Sequence, residues 1–369
     1  MKLALVRRGY SATGGAEAYL KRFAAALAVA GHEPTLFTDA AWPAGEWPFA
    51  LRAIGGGRSP AEFARRLTEA RPREACELVF SMERVEACDV YRAGDGVHAA
   101  WLERRARYEP RWRSFFRRLS RKHAALCALE AAMFRPGGVR LVIANSDMVK
   151  REILERHDYP ADQICVVHNG VPPAPAPAEQ AAMRAAARQE LGLGADEYVL
   201  LFAGSGWERK GLRFAIDATN RATGGRPTLL VAGHGRQRGL PASERARFLG
   251  PVRGLARYLA AADAFILPTI YDPFSNACLE ALAAGLPVIT TRANGFAEIL
   301  AEGGGSVLER PEDVDALGQA IAHWASAARR AEARPRLLEK GARFSVEENL
   351  RSTLAALERL SRPPGSALK

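Results

Sequence analysis

Short apolar strands alternate with helices along this chain, and the alternation occurs twice. The first series runs from residue 3 to residue 168, and the second begins near Tyr198. Strands that alternate with helices form parallel sheets with helices packed on both faces. A chain of 369 residues is also longer than a single hydrophobic core usually serves. The sequence therefore predicts two α/β domains, each a doubly wound parallel sheet.

A proline-rich segment lies between the two series. Val171–Pro177, VPPAPAP, has four prolines in seven residues and is typical of a stiff linker. We predict a first domain at residues 1–170, a linker at 171–180 and a second domain at 181–345. Residues 346–369 are predicted to form a C-terminal helix that packs back on the first domain.

Charge is concentrated in the first half of the chain. Residues 1–170 have 27 Lys/Arg and 20 Asp/Glu, which is +7 of the net charge of +11. Nine basic and two acidic residues fall in Trp101–Lys122 alone. A local excess of this kind indicates one anionic partner surface and argues against a uniformly basic nucleic-acid coat.

Two features indicate a cytoplasmic protein. No apolar run reaches the ~18–20 residues that a membrane-spanning helix needs, and Arg7 and Arg8 end the apolar start too early for a signal peptide. The five cysteines show no CxxC and no disulfide-like spacing, so we expect reduced thiols.

The segment Pro268–Pro287, PTIYDPFSNACLEALAAGLP, is the most distinctive part of the sequence. From Pro273 to Thr291 the only charged residue is Glu280, and Asp272 precedes it by eight positions. An uncharged run of this length indicates burial, and a buried carboxylate is costly unless a partner hydrogen-bonds to it. We therefore expect Asp272 and Glu280 to face a ligand site.

The same segment predicts the start of a helix. Ser275 and Asn276 are both favoured N-cap residues, and they follow a strand that ends at Leu267. Helix N-termini at the carboxyl ends of parallel strands bind anionic ligands.

A glycine-rich loop, GSGWERKG at residues 204–211, follows another predicted strand. It fits neither the P-loop pattern nor a complete GxGxxG, which argues against a P-loop kinase and an ordinary NAD site. Arg209 and Lys210 are adjacent there and can clamp a diphosphate, Arg209 through its fork and Lys210 as a point charge. The alternative is a solvated loop whose two cations have no ligand.

Two further loops follow strands of the first domain. Gly14 and Gly15 allow close backbone approach to a phosphate or sugar, although a plain tight turn fits equally well. Asp95 lies between two glycines in YRAGDGV, a pattern that by itself favours a turn. The alternative role is a carboxylate that binds acceptor hydroxyls or takes up their proton.

No metal is expected. Asp313 and Asp315 form a DxD, but PEDVDALGQAI is a helix start, where acids favour the positive end of the dipole. No other cluster of His, Cys and acidic residues has metal-binding spacing.

A predicted amphipathic helix over Pro110–Met133 has one aromatic and one basic face. The apolar face is formed by Trp112, Phe115, Phe116, Leu119, Leu126 and Met133. The basic face is formed by Arg113, Arg117, Arg118 and Arg121. This arrangement fits an anionic membrane surface, and it fits equally a core-packed helix whose basic side is merely solvated.

Taken together, these residues resemble the retaining GT-B glycosyltransferases of family 4, also described as glycosyl transferases group 1. DPFSNACLEALAAGLPVI looks like the E-x7-E element of that family, with Asp272 and Glu280 in its acidic positions. RKG at 209–211 looks like its pyrophosphate clamp, and HNGV at 168–171 matches a common interdomain element. Within the family the chain looks most like the lipopolysaccharide core glucosyltransferases, which have an Asp in a segment similar to YRAGDGV and a basic membrane-associating stretch after it.

The resemblance implies a GT-B fold, in which two Rossmann-like doubly wound domains face each other across a cleft. It implies an N-terminal domain that faces the acceptor and the membrane, and a C-terminal domain that binds a sugar nucleotide. Transfer is expected to retain anomeric configuration and to need no metal and no other cofactor. The implied catalytic residues are Asp95, Asp272, Arg209 and Lys210. The implied sugar-nucleotide contacts are Gly14, Gly15, Gly204, Arg209, Lys210, Asp272, Pro273, Phe274, Ser275, Asn276 and Glu280.

One position departs from the family pattern. The first acidic residue is usually Glu, and here it is Asp272, which is one methylene shorter. The departure bears on which hexose is transferred and leaves the reaction class unchanged.

The sequence therefore predicts a monomeric hexosyltransferase that is peripheral on the inner face of a bacterial plasma membrane. Its expected donor is UDP-glucose and its expected acceptor a lipopolysaccharide core or similar lipid-linked oligosaccharide. Other donors (GDP-mannose, UDP-GlcNAc, UDP-galactose) remain open. So do a GT-B epimerase or phosphorylase, and a membrane-binding module without activity.

Overall fold

The structure is a computed structural model of the chain. It describes residues 1–369 except 12–14, 41, 44, 58, 87, 111, 113–119, 224–225, 301–302 and 362–369. The described residues form two compact units. The first comprises Met1–Val167 and the chain from Leu350 onward, and the second comprises His168–Asn349.

The first unit is built on a seven-stranded parallel sheet with the order β3-β2-β1-β4-β5-β6-β7. Its strands are β1 (Lys2–Val6), β2 (Glu33–Thr38), β3 (Ala50–Ala53), β4 (Leu78–Ser81), β5 (Val90–Ala93), β6 (Leu141–Ala144) and β7 (Ile164–Val166). Its helices up to residue 167 are α1 (Gly15–Val29), α2 (Pro60–Glu69), α3 (His98–Ala106), α4 (Arg121–Met133) and α5 (Asp147–Arg156).

Burial explains why these segments form a covered sheet. Residues 3–6 of β1 are fully buried, as expected of a central strand with helices on both faces. On α1 the apolar residues Leu20, Phe23 and Leu27 recur every three or four positions and are also fully buried. The helix therefore packs one apolar face against the sheet.

The second unit repeats this architecture with six parallel strands in the order β10-β9-β8-β11-β12-β13. Its strands are β8 (Val199–Ala203), β9 (Thr228–Ala232), β10 (Ala246–Gly250), β11 (Ala264–Leu267), β12 (Val288–Thr291) and β13 (Gly305–Leu308). Its helices are α6 (Pro177–Glu190), α7 (Trp207–Lys210), α8 (Leu212–Arg221), α9 (Ala256–Ala261), α10 (Asn276–Ala283), α11 (Val314–Trp324) and α12 (Ala327–Ala342). In both units the chain builds outward from a central strand and then continues on that strand's other side, which is the doubly wound order of a Rossmann fold. The predicted fold class is confirmed.

The last described helix, α13 (Val346–Ser361), returns the chain to the first unit. Ala356 and Leu357 are buried in the same core cluster as Leu3, Phe23 and Val167. The first unit is thus completed by residues that are distant in sequence from the rest of it.

The proline-rich segment is not the junction between the units. The units divide between Val167 and His168, and Pro177 is the first residue of α6. Proline suits this position because its fixed φ is helical and the first turn needs no N–H donor there. The linker predicted at 171–180 therefore lies within the second unit, whose extent is 168–349 and not the predicted 181–345.

The helix predicted over Pro110–Met133 is not continuous. Ser120 has an extended backbone, with φ −70° and ψ 113°, and precedes the first residue of α4. Six residues of this helix are predicted to contact the membrane. The structure describes Trp112 and Arg121, while Arg113, Phe116, Arg117 and Arg118 lie outside the described residues, as does Gly14. In the described part of the chain, no helix combines the length and the apolar character needed to cross a membrane.

We expect Leu357→Ala to destabilise the first unit by about 2–5 kcal/mol. Leu357 is 2% exposed, and truncation of a buried leucine removes apolar contact and leaves a cavity. Urea unfolding of the full chain measures the change. Glu358→Ala, an exposed neighbour on the same helix, is the matched control and should change stability by less than about 0.5 kcal/mol. Equal effects of the two changes would show that α13 does not belong to this core.

Candidate functional site

Two loops of the second unit meet where its strand order reverses. The loop of residues 204–211 follows β8, and the loop of residues 268–275 follows β11. These strands are neighbours, although β9 and β10 come between them in sequence. The carboxyl ends of strands at such a switch point form the usual ligand crevice of an open α/β sheet.

Backbone contact joins the two loops. Gly211 has φ +77°, and a Cβ atom on it would lie 1.9 Å from the carbonyl oxygen of Pro268. Only glycine fits at such a position. The carbonyl oxygen of Arg209 accepts hydrogen bonds from the hydroxyl of Thr269 at 2.8 Å and the N–H of Ile270 at 3.0 Å. The cationic loop and the Asp272 loop therefore form one structural element.

The two cations predicted for the diphosphate both reach the Asp272 loop. The Lys210 ammonium forms an ion pair with the carboxylate of Asp272, and both side chains are largely buried, at 12% and 6% exposed. Arg209 Nη1 donates to the carbonyl oxygen of Tyr271 at 3.2 Å. The Lys210–Asp272 pair could not be predicted from a local pattern, because the partners are 62 residues apart.

A buried asparagine, Asn294, stabilises the start of α10 through hydrogen bonds to backbone N–H groups. Ser275 is the N-cap, as predicted, and its hydroxyl accepts from the N–H of Cys278 at 3.4 Å. The side-chain oxygen of Asn294 accepts from the N–H groups of Ser275 and Phe296, each at 3.2 Å. Asn294 is 1% exposed. Sequence analysis did not single out Asn294, since its contact with the turn at Ser275 spans 19 residues.

Pro273 and Phe274 complete the turn into α10, and both are buried. Burial raises the pKa of the Cys278 thiol to about 12, so this cysteine is a neutral packing residue at neutral pH.

Glu280 is less buried than the sequence suggests. Asp272 is 4% exposed, whereas Glu280 is half-buried in the middle of α10. Asn276, four residues earlier and one helical turn away, is exposed on the same side of the helix. The costly buried carboxylate is thus Asp272, and Lys210 supplies its counter-charge.

The HNGV motif also lies beside this turn. Asn169 donates from Nδ2 to Oδ1 of Asn276 at 2.7 Å. His168 Nε2 lies 2.6 Å from a carboxylate oxygen of Glu298, and its ring lies 5.5 Å from that of Phe274. The sequence suggested an interdomain element here, and the structure adds that its polar side chains support the residues 274–276.

In the first unit, Asp95 lies in a turn between β5 and α3 and is exposed. Burial lowers the pKa of Arg7, but the charges of Glu83 and Glu17 raise it by more, so that the net shift is upward. The charge of Asp95 adds a smaller upward contribution. Arg7 lies between these two carboxylates, 2.7 Å from Glu83 and 3.0 Å from Glu17. Burial raises the pKa of Glu83. Gly15 is the first residue of α1.

Arg7 and Glu83 were missed by sequence analysis. They follow β1 and β4, the two strands at which the order of the first sheet reverses. A sequence signal existed: both residues come within two positions of the end of a buried strand, as the loops of residues 204–211 and 268–275 follow theirs. The structure thus assembles a charged group at the equivalent position of the first unit.

Two family profiles match the chain. Glycosyltransferase Family 4 matches residues 13–174, and Glycosyl transferases group 1 matches residues 197–326. A probable transglycosylase of Burkholderia thailandensis is 30% identical over 295 residues, 78% of this chain and 77% of that protein. The chain belongs to glycosyltransferase family 4.

Other members give the same result. The lipopolysaccharide glucosyltransferase WaaG of Escherichia coli K12 is 24% identical over 85% of this chain and 86% of its own length. A crystal structure of WaaG superposes with a TM-score of 0.75 at 22% identity, covering 96% of this chain and 98% of WaaG. HepE of Anabaena, solved with UDP and glucose, has a TM-score of 0.72 at 17% identity, covering 97% and 100%.

These similarities confirm the family, the GT-B fold and the enzyme class that the sequence predicted. The protein is a family 4 glycosyltransferase, similar to the lipopolysaccharide core glucosyltransferases. The roles of individual residues remain predictions.

We expect Asp272→Asn to lower the free energy of unfolding by about 3–5 kcal/mol, because it leaves the Lys210 ammonium buried without its carboxylate. Lys210→Met in the same background should restore much of the loss, since it removes the unpaired charge. Urea unfolding of the two single variants and the double variant forms a complete double-mutant cycle. Strictly additive effects would contradict a coupled pair.

Proposed function

We propose that the protein is a retaining, metal-independent hexosyltransferase that moves glucose from UDP-glucose to a lipopolysaccharide core or similar lipid-linked acceptor. The observation that most supports this proposal is the pair of cations, Arg209 and Lys210, which lie beside Asp272 at the switch point of the second sheet. The names of the relatives support the substrates: WaaG is a lipopolysaccharide glucosyltransferase, and HepE was solved with UDP and glucose.

The donor diphosphate would bind between the cations and the start of α10. The N–H groups at the beginning of a helix favour negative charge. Arg209 can engage two phosphate oxygens through its planar fork. The Lys210 ammonium has three N–H donors, so it can keep its bond to Asp272 and also donate to phosphate.

These cations would also assist bond cleavage. As the bond from the sugar C1 to the diphosphate oxygen breaks, negative charge grows on the leaving nucleoside diphosphate. Fixed positive groups in a partly buried loop stabilise that charge without reorganisation. A divalent metal performs this task in other transferases, and Arg209 and Lys210 supply the same charge here.

The two acids are assigned to hydroxyl groups of the donor. Glu280 would accept from the ribose hydroxyls, because facing the diphosphate would be repulsive. Asp272 would accept from hydroxyls of the hexose, with lone pairs that Lys210 does not use. Since Asp272 is shorter than the usual glutamate, its reach sets which hexose hydroxyl it can contact.

The acceptor is assigned to the first unit. Asp95, which is exposed, would bind the acceptor hydroxyl or take up its proton. Gly14 and Gly15 keep their predicted role as contacts of the sugar nucleotide. Transfer then forms the bond from the acceptor oxygen to C1 on the face that the diphosphate leaves, which retains the configuration.

The membrane contact is assigned to the basic segment Trp101–Lys122. Trp112 is 60% exposed, and Arg121 and Lys122 are exposed. An exposed aromatic ring among arginines suits the interface of an anionic bilayer. We place the enzyme on the cytoplasmic face of a bacterial inner membrane, as a peripheral monomer.

Removal of Arg209 tests the donor site. We expect Arg209→Ala to lower kcat for UDP-glucose by about 10²–10³, because a fixed transition-state donor is lost, and Glu280→Ala to raise KM mainly. Arg213→Ala, an exposed arginine four residues later, is the control. Unchanged turnover of all UDP- and GDP-sugars by both variants would overturn the assignment.

Product analysis separates the reaction classes in the same assays. NMR of the product with acceptor shows whether the anomeric configuration is retained, and chelation by EDTA should leave the rate unchanged. Conversion of the sugar nucleotide in the absence of any acceptor would identify an epimerase instead.

Charge reversal tests the membrane contact. Changing Arg113, Arg117 and Arg118 together to Glu should abolish most binding to vesicles that contain anionic lipid, since each basic residue contributes about 1 kcal/mol at such a surface. The same triple reversal at Arg329, Arg336 and Arg343, in the second unit, is the charge-matched control. Unaltered vesicle binding would leave the basic segment as a solvated helix face.

A further inference from the structure

A cavity lies at the amino ends of the parallel strands in the second unit. It has a volume of about 340 Å³ and is lined by Gln180 and Arg184 of α6, Arg334 of α12 and residues that immediately precede β11 and β12. The donor loops follow the carboxyl ends of these parallel strands, whereas the cavity lies at their amino ends. With strands of four residues at about 3.3 Å each, the two sites are roughly 13 Å or more apart.

Hydrogen bonds hold the guanidinium group of Arg184 in place. Nη1 donates to the carbonyl oxygens of Ala260 and Ala262 at 3.0 and 2.9 Å, and Nη2 donates to Asp263 at 2.8 Å. These contacts cap the end of α9 and use only the two Nη atoms. The Arg184 charge is therefore fixed at the wall of the cavity.

Arg334 and Gln180 line the same cavity. Arg334 Nη2 donates to the side-chain oxygen of Gln180, and its Nη1 lies 3.4 Å from the carbonyl oxygen of Gly285. Gln180 Nε2 donates to the carbonyl oxygen of Ala284 at 2.8 Å. Among the described residues, no carboxylate lines this cavity or pairs with Arg334.

Positive charge around the cavity exceeds the negative charge that faces it. Asp263 is shared by Arg184, Arg188 and Arg330, at 2.8, 3.5 and 3.4 Å. The nearby helix ends contribute only about half a negative charge each. Burial, and then the charge of Arg184, lower the pKa of both Arg188 and Arg334. Lowered pKa values of arginine indicate cations that lack sufficient counter-charge.

We propose that this cavity is a binding site for a small phosphate-bearing anion, separate from the sugar-nucleotide site. Its volume falls in the range of ligand sites. Two guanidinium groups line the cavity, and their positive charge and N–H donors suit a phosphate group. The proposal does not depend on which sugar the enzyme transfers.

The position of the site connects it to the donor loops. Gln180 and Arg334 bond to the carbonyl oxygens of Ala284 and Gly285, which directly follow the last residue of α10. Ser275, at the other end of α10, belongs to the proposed donor loop. A bound anion would therefore order the end of α10 opposite the donor. The site is placed to regulate donor binding.

The first experiment is a titration of the full chain with sodium phosphate, followed by thermal unfolding and calorimetry. Sodium chloride at equal ionic strength corrects for screening. Phosphate at about ten times its Kd should raise Tm by about 3–5 °C. Arg334→Gln should lose this response, while Arg336→Gln, an exposed arginine on the same helix, and Arg209→Ala in the donor loop should keep it. No saturable response beyond that of chloride, or a response lost in Arg209→Ala and kept in Arg334→Gln, would overturn the proposal.

A second variant keeps the test informative if Arg334→Gln does not fold. Gln180→Glu places a carboxylate in the cavity and should raise Tm without phosphate by a few degrees, while it abolishes the phosphate response. Ala178→Glu, an exposed position in the same helical turn, controls for the favourable effect of an acid at a helix start. Equal stabilisation by both changes, with the phosphate response retained in Gln180→Glu, would show that the arginines act only as helix caps.

Discussion

The contact of Gly211 with the carbonyl oxygen of Pro268 is the constraint on which the candidate donor site depends. The two loops can approach this closely because Gly211 has no side chain and adopts a positive φ. That approach brings Lys210 to Asp272 and lets Arg209 bond to the backbone of the Asp272 loop. Both strands that position the loops are fully buried, so the sheet supplies a rigid base for the site. The proposed diphosphate clamp therefore depends on both loops together and on neither alone.

Charge is balanced differently at the two ends of α10. At its start, Lys210 offsets the one deeply buried acid, and Asn294 satisfies the turn's N–H groups with a neutral side chain. Beyond its C-terminal end, several arginines share Asp263, and positive charge is left over. The start of α10 thus has polar groups positioned for the proposed sugar nucleotide, and its C-terminal end has an excess of positive charge. This asymmetry connects the donor site with the proposed anion site, because both act on the same short helix.

The central strands of both sheets were predictable because they are short, apolar and covered on both faces. Two edge strands were not: β3 (ALRA) and β10 (ARFLG) are mostly exposed or half-buried and lack an apolar run. The strand predicted just before Asp95 is β5 (VYRA), although its Arg92 is buried and lies over the ring of Tyr19, 4.0 Å away. The domain boundary was predicted in the wrong place because of the prolines at 172–177. A proline in the first turn of a helix and a proline in a linker cannot be distinguished by sequence alone.

The sequence by itself determined the fold class, the family and the chemical types at the site: glycines after strands, two adjacent cations, two acids eight residues apart and an N-cap serine. These signals are local, since each depends on neighbours within one turn or one strand. Only the tertiary structure decided which of them meet. Lys210 and Asp272 are 62 residues apart, Arg7 and Glu83 are 76 apart, and the arginines around Asp263 come from two helices, α6 and α12. Their pairing follows from strand order and loop contact, which no local pattern encodes, and so does the finding that Asp272, and not Glu280, is the buried acid.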